Sequence, residues 1–315
     1  MAIFRIIPYL IHPNCAKIDH LFVYVCSMTV HQASQQLIFQ LFHLYEEREA
    51  RNIADLVMEN VTEWKRVDRI VNKEVPLSPD KEKLLTRYTL ELMEHKPVQY
   101  VLEEAWFCGM KFFVDENVLI PRPETEELVN WILEQSRHYL QRGQVLRLLD
   151  VGTGSGCIAV SLKKKLKEAS VYACDIDEKA LAVAKRNGTA NNTNIGFLLC
   201  DFLLEKERNL LPTVDIIISN PPYVPFDDQQ AMSPNVLQYE PHLALFVANN
   251  DPLVFYRAIV TFSQTHLAQN GAVFVEIHEE YGKAVADLFF TNGFTKVELR
   301  KDLQGRERMV RASRK

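Results

Sequence analysis

Asn220-Pro221-Pro222-Tyr223 is the segment of this 315-residue sequence whose residue types point most directly to chemistry. Two prolines restrict the backbone, and Pro222 pushes Pro221 away from helical conformation. A main-chain carbonyl and the Asn220 side-chain oxygen can then converge on one point. Two such acceptors suit an NH₂ group whose lone pair is delocalised, as in a carboxamide or an aminopurine. That nitrogen is a poor nucleophile. Holding both its hydrogens lets it pyramidalise while the Tyr223 ring stacks on the flat π-system. The structural alternative is a proline turn that closes the preceding strand, VDIIIS.

A second constellation points to a nucleoside. In LDVGTGSGCIAVSL, residues 149–162, an apolar strand ends at Asp150-Val151 and the loop Gly152-Thr153-Gly154-Ser155-Gly156 turns into a helix. Glycines serve where backbone must bend sharply and approach a ligand at the carboxyl end of a strand. Cys157 stands where a dinucleotide fingerprint has its third glycine, so the loop alone is weak evidence, with a mere tight turn as the alternative. The next strand ends in Asp175, about 20 residues on, where a carboxylate accepts both hydroxyls of a ribose. Asp177 is assigned instead to capping the helix EKALAVAKRN. The third strand ends in Asp201-Phe202, a carboxylate for an adenine amino group and a flat apolar face for its ring. Three consecutive strands that each end in a nucleoside contact are far more specific than the loop.

These residues need a scaffold, and the pattern supplies one. VLRLLDV, SVYACDI, IGFLLCD, VDIIISN, GAVFVEI, FTKVELR and RMVRA are seven candidate strands alternating with helical stretches. The first four are continuous apolar runs, as in a parallel sheet covered on both faces, which predicts a doubly wound α/β domain over 121–315. Residues 28–96 read as a small all-helical domain, with Leu37, Leu41, Leu44, Ile53, Leu56 and Val57 at helical spacing. Ser78-Pro79 opens its last helix, and Lys96-Pro97 ends the domain. Between the two, QYVL, WFCGMKFFV and NVLI predict a β-hairpin linker over 97–120. Residues 1–27 have a different texture, which marks them as an N-terminal extension and Met28 as a candidate native start.

Lys plus Arg number 36 against 41 Asp plus Glu, a net charge of −5, so the basic footprint of a nucleic-acid binder is missing. No apolar run reaches the roughly 20 residues of a membrane-spanning helix. The six cysteines (15, 26, 108, 157, 174 and 200) show no paired spacing; Cys157, Cys174 and Cys200 read as small buried thiols, which fits a reducing, cytoplasmic setting. His278-Glu279-Glu280 lacks a second histidine, and no metal site is expected. Lys163, Lys164, Lys165 and Lys167 fall late in the helix after the glycine loop and complement its dipole. Arg306, Arg308, Arg311, Arg314 and Lys315 read as a solvated basic tail.

The combination resembles class I S-adenosylmethionine-dependent methyltransferases, in which N/D-PP-Y/F marks enzymes that methylate planar amino groups. PRPETE at 121–126, NPPY at 220–223 and YEPHLAL at 239–245 look more specifically like the release-factor glutamine N5-methyltransferases, the HemK-like family. The likeness covers roughly residues 28–312. It implies a Rossmann-like seven-stranded methyltransferase domain behind a helical release-factor-binding domain. It implies S-adenosylmethionine as cofactor on residues 152–156, Asp175, Asp201, Phe202 and Asn220. It also implies that residues 220–223 take the glutamine of the GGQ loop of class I peptide-chain release factors, with no membrane and no direct nucleic-acid substrate. Two departures stand out. Phe202 replaces a frequent tryptophan, and Asn249-Asn250-Asp251-Pro252-Leu253 replaces a glycine-rich stretch. The rival readings are an adenine-N6 nucleic-acid methyltransferase using the same NPPY pocket, and a non-catalytic adaptor that binds the cofactor or a release factor.

Overall fold

The computed structural model describes residues 27–140 and 145–314; apart from Ser27, the expected N-terminal extension lies outside the described residues. The helical part opens at Thr29, whose side chain and Gln32 form a reciprocal capping box for the helix Val30–Leu41. Helices Glu47–Thr62, Arg66–Val71 and Pro79–Met93 follow, the last capped by Ser78 through the Lys81 amide. Leu37, Leu41, Val57, Met58 and Leu92 meet in one apolar cluster. Leu56, expected on that face, is instead exposed.

The linker departs from expectation at both ends. QYVL is a single helical turn, Val98–Val101, begun at Pro97, with Tyr100 and Val101 buried. The hairpin is confined to β1 (Ala105–Phe107) and β2 (Met110–Phe112), joined by Cys108 and Gly109. Both turn residues have positive φ, 50° and 73°, which matches the twist of a two-residue hairpin. NVLI forms no strand, because side chains take its backbone groups. The Tyr100 hydroxyl donates to Val118 O at 2.6 Å, and Ile120 N donates to Glu240.

All seven expected strands of the α/β part form. In chain order, with two short extra strands among them, they are β3 (Arg147–Val151), β4 (Ser170–Asp175), β5 (Gly196–Leu199), β6 (Val214–Ser219), β7 (Val224–Pro225), β8 (Phe246–Val247), β9 (Leu267–Glu276), β10 (Lys296–Lys301) and β11 (Glu307–Ser313). One sheet runs β10-β11-β9-β6-β3-β4-β5, while β7 and β8 pair separately. Strands β3 to β6 and β9 are parallel; β11 is antiparallel to both its neighbours. Alternate residues enter opposite cores. Leu148, Ile216 and Phe274 pack under Leu128 and Trp131 of the helix Pro123–Leu140. Leu149, Ile217 and Val273 pack under Tyr256 and Ile259 of the helix Val254–His266. Two buried faces explain why these strands read as unbroken apolar runs.

After β5 the chain returns to the other side of β3 as β6. The carboxyl ends of these strands therefore frame a reversal point, where α/β sheets bind ligands. Of the arginines read as a solvated tail, Arg308 and Arg311 lie on β11 and Arg306 and Arg314 flank it, and all four have partners. Arg306 bridges Glu279, Arg308 bridges Asp302 and Arg311 bridges Glu298. The Arg311–Glu298 pair joins β11 to β10, while Glu279 and Asp302 lie in the turns beside the strands. Lys163 Nζ donates to the carbonyls of Lys167 and Ala169, both at 2.7 Å, as suits cations at a helix C-terminus.

Candidate active site

The glycine loop is held by the end of β4. Gly152 N and Thr153 N donate to Cys174 O at 2.9 and 3.0 Å, and Gly154 N donates to Asp175 Oδ2 at 2.8 Å. Gly156 has φ 79°, and a Cβ there would lie 3.1 Å from Ala184 Cβ, so both backbone and space require glycine. Asp175 Oδ1 accepts from Asp177 N at 3.1 Å, while Asp177 caps the helix Glu178–Ala190 through Lys179 N. Asp177 thus caps the helix as the sequence suggests, while Asp175 holds the glycine loop. Each Asp175 oxygen keeps a further lone pair for a ligand. Burial lifts the Asp175 carboxyl above its usual range, against the pull of the Gly154, Asp177 and Ile176 amides.

Residues 152–155, Asp175, Asp201 and Phe202 line one cleft, and it continues to Asn220, Pro221 and Pro222; Gly156, packed against Ala184, is not part of that lining. Nothing lies within 4 Å of where side chains would start on Gly152 or Gly154, which leaves a bare backbone cradle facing the cleft. Phe202 is anchored edge-to-face on Phe262, with ring centres 5.3 Å apart. Asp201 Oδ1 accepts from Leu203 N, so this acid also shapes its own turn. A bare cradle, a carboxylate one strand away and an aromatic wall fit a nucleoside bearing a charged tail. Cys174 and Cys200 line the same cleft as free, buried thiols. Beneath it Asp150, wholly buried and bonded by the Thr153 hydroxyl at 2.7 Å, has its carboxyl pushed up by burial to about 7.

The Asn220–Tyr223 segment leaves β6 above β3, where Ser219 Oγ ties the strand ends by donating to Val151 O at 2.8 Å. Asn220 Nδ2 donates to Thr125 Oγ1 at 3.1 Å, and Thr125 Oγ1 donates to Glu276 Oε2 at 2.7 Å. Among the described residues no donor reaches Asn220 Oδ1, and it is not sealed from the cleft. Tyr223 lies outside the cleft lining. Its hydroxyl donates to the other Glu276 oxygen at 3.1 Å, and its ring meets His278 edge-on. Burial raises the Tyr223 phenol far above its ordinary range. Burial also pushes the Glu276 carboxyl up, opposed by both hydroxyls and by Arg308.

Sequence reasoning gave no role to Thr125, Arg122, Glu240 or Glu276, and all four bind the motifs together. PRPETE supplies Thr125 to Asn220, and it supplies Arg122, whose Nη2 donates to Glu240 of YEPHLAL at 2.6 Å. The signal for Glu276 was an acid closing the apolar run GAVFVEI, the same signal that marked Asp150, Asp175 and Asp201.

A mixed seven-stranded sheet of this order, with a glycine cradle at its reversal point and an acceptor-bearing Asn-Pro-Pro-Tyr turn beside it, defines a class I methyltransferase using a donor of the S-adenosylmethionine type. The family described as Methyltransferase small domain matches residues 128–239, and the PrmC N-terminal domain matches residues 32–102. The release factor glutamine methyltransferase of Flavobacterium psychrophilum is 41% identical over 91% of this chain and 99% of its own length. That of Bacteroides thetaiotaomicron is 37% identical over 86% of this chain and 95% of its own. The chain belongs to the release factor glutamine methyltransferase family. Among solved structures, the hMettl16 catalytic domain in complex with MAT2A 3′UTR hairpin 6 shares the fold, with a TM-score of 0.52 at 16% identity over 76% of this chain and 83% of that one.

Proposed function

We propose that this protein transfers a methyl group from S-adenosylmethionine to the side-chain amide nitrogen, N5, of the glutamine in the GGQ loop of class I peptide-chain release factors. The observation that carries the reading is the Asn220 amide, pinned by its NH₂ on Thr125 so that its oxygen is left for the cleft. Residues 152–155 and Asp175 would hold the cofactor's tail and ribose, with Gly156 setting the turn, and Asp201 and Phe202 would hold its adenine. S-adenosylmethionine supplies a methyl group already activated by a positively charged sulfur. Asn220 Oδ1 and the Pro221 carbonyl take the two hydrogens of the target amide, align its nitrogen and stabilise the positive charge that grows on it. With that donor bound, the amide nitrogen would take the methyl group as sulfur keeps the bonding electrons, and the amide proton would leave to water. Tyr223 lies outside the cleft lining and acts from behind it, through its hydroxyl on Glu276. The helical domain is the proposed release-factor contact. Among the described residues no helix is long and apolar enough to cross a membrane, and the thiols are free, which supports a reducing, cytoplasmic setting.

The test is incubation with methyl-labelled cofactor and, separately, a class I release factor, DNA and RNA, followed by peptide mapping. Label on the GGQ glutamine is expected, and Asn220→Ala should lower turnover at saturating cofactor by about 10²–10³-fold. Label on adenine instead would replace this reading with the nucleic-acid one.

A further inference from the structure

Hydrogen-bond polarity runs one way through Glu276, Thr125 and Asn220. Both Glu276 oxygens accept hydroxyl hydrogens, Oε1 from Tyr223 at 3.1 Å and Oε2 from Thr125 at 2.7 Å, so the single Thr125 hydroxyl hydrogen is given to Glu276. The Thr125 oxygen then has only lone pairs left, and it takes a hydrogen from Asn220 Nδ2 at 3.1 Å. Asn220 carries its NH₂ and its oxygen on one planar amide. Anchoring the NH₂ turns Oδ1 to the other side, toward the cleft. If Thr125 gave its hydrogen to Asn220 instead, the NH₂ would face the cleft and oppose an incoming NH₂. Glu276 also receives the Tyr223 hydroxyl on Oε1, so both ends of the Asn220–Tyr223 segment refer to one carboxyl group that is 1% exposed.

We infer that Glu276 is a positioning residue whose carboxylate, acting through Thr125, selects the Asn220 amide orientation that presents an acceptor, and so selects a planar NH₂-bearing substrate. The inference rests on the proposed reading of the cleft as an amide-methylating site. Glu276 touches neither substrate nor cofactor in this role. It sits on β9, and its partners come from the start of the helix Pro123–Leu140 and from the turn after β6. Three separated parts of the chain thus converge on one acceptor.

A glutamine at 276 has one acceptor oxygen for two hydroxyl donors, so one of them must turn away or meet an N–H. The test compares Glu276→Gln, Thr125→Val, their double variant and Thr125→Ser. Release-factor kinetics, calorimetric affinity for S-adenosylhomocysteine and the thermal midpoint are measured for each. Glu276→Gln should lower kcat by about 10–100-fold, with cofactor affinity changed by less than about threefold. In the Thr125→Val background the same substitution should cost less than about threefold more, since the two residues act in one chain. Thr125→Ser, which keeps the hydroxyl, should recover most of what Thr125→Val loses. The orientation itself is read without turnover, from the side-chain NH₂ signal of Asn220 in asparagine-¹⁵N-labelled protein, identified by its loss in Asn220→Ala. It should exchange slowly in the wild type, and shift and exchange faster in Glu276→Gln. An unchanged signal with unchanged kcat, or fully multiplicative losses in the double variant, overturns the inference. A wild-type protein that labels no release factor overturns the proposed function instead, and the NMR signal still decides the role of Glu276.

Discussion

Arg122 and Glu240 form an ion pair of unequal burial. Arg122 Nη2 donates to Glu240 Oε1 at 2.6 Å, with the arginine side chain 33% exposed and the glutamate 1% exposed. Ile120 N donates to the second glutamate oxygen, so the pair joins the PRPETE segment to the loop after the Asn-Pro-Pro-Tyr turn. The inequality predicts an unequal response to mutation. Arg122→Met leaves a buried, uncompensated carboxylate, and the loss should approach the roughly 3–5 kcal/mol typical of such a break. Glu240→Gln leaves an arginine that reaches water and still offers Ile120 an acceptor, and should cost about 1 kcal/mol. Urea unfolding of both variants measures the difference, and equal losses would refute the assignment.

Asp175 binds both the glycine loop and, in the proposed function, the ribose. Asp175→Ala should therefore lower affinity for S-adenosylhomocysteine by roughly 10–100-fold, the equivalent of about 1.5–3 kcal/mol of charge-assisted bonding. It should also lower the thermal midpoint, because Gly154 N and Asp177 N lose their acceptor. Asp175→Asn keeps one acceptor oxygen and should fall between Asp175→Ala and the wild type in both measurements. Calorimetry that finds Asp175→Ala binding normally would confine Asp175 to holding the loop.

Tyr223 was expected to act by its ring alone, which makes Tyr223→Phe nearly silent. The structure corrects that expectation, because the phenol donates to buried Glu276. Removing it leaves a buried carboxylate oxygen short of a partner, at a cost of about 1–3 kcal/mol. Tyr223→Phe should lower the thermal midpoint by several degrees and reduce kcat. A wild-type midpoint and rate would return the role to stacking.

The parts of this protein that were legible in its sequence are those written in local pattern. Seven apolar runs gave seven strands, because a sheet covered on both faces needs unbroken apolarity along each strand. Ser78, Asp177 and the glycine loop were legible because caps and tight turns are decided within a few residues. QYVL and NVLI were misread because β-rich composition does not say which groups will bond the backbone; a proline-led turn claims one, and Tyr100 and Glu240 claim the other. Arg311 looked like part of a tail because its partner, Glu298, lies on the neighbouring strand. Glu276 went unassigned for a related reason. Its partners Thr125 and Tyr223 are brought to it only by the fold.

Asp150 should make the stability of this protein fall as pH rises toward neutrality. It is 1% exposed at the end of β3, with Oδ2 bonded by Thr153 and Oδ1 without a close hydrogen-bond donor among the described residues, though the Ala159 amide favours the ionised form. Burial pushes its carboxyl up to about 7, and the charge of Asp175 pushes the same way. In the unfolded chain it titrates near the ordinary aspartate value of about 3.9. Between those two values the folded protein holds a proton that the unfolded chain has already released. Since stability rises with pH only where the unfolded state binds more protons, this group contributes a negative slope from about pH 4 to about pH 7 and none beyond. Asp150→Asn removes the titration and keeps an acceptor for Thr153. Its stability relative to wild type should therefore be greater at pH 8 than at pH 5. Urea unfolding of both proteins at the two values is the measurement. A relative stability unchanged between them would mean that Asp150 is already ionised at pH 5, held so by Thr153 and the backbone around the glycine loop.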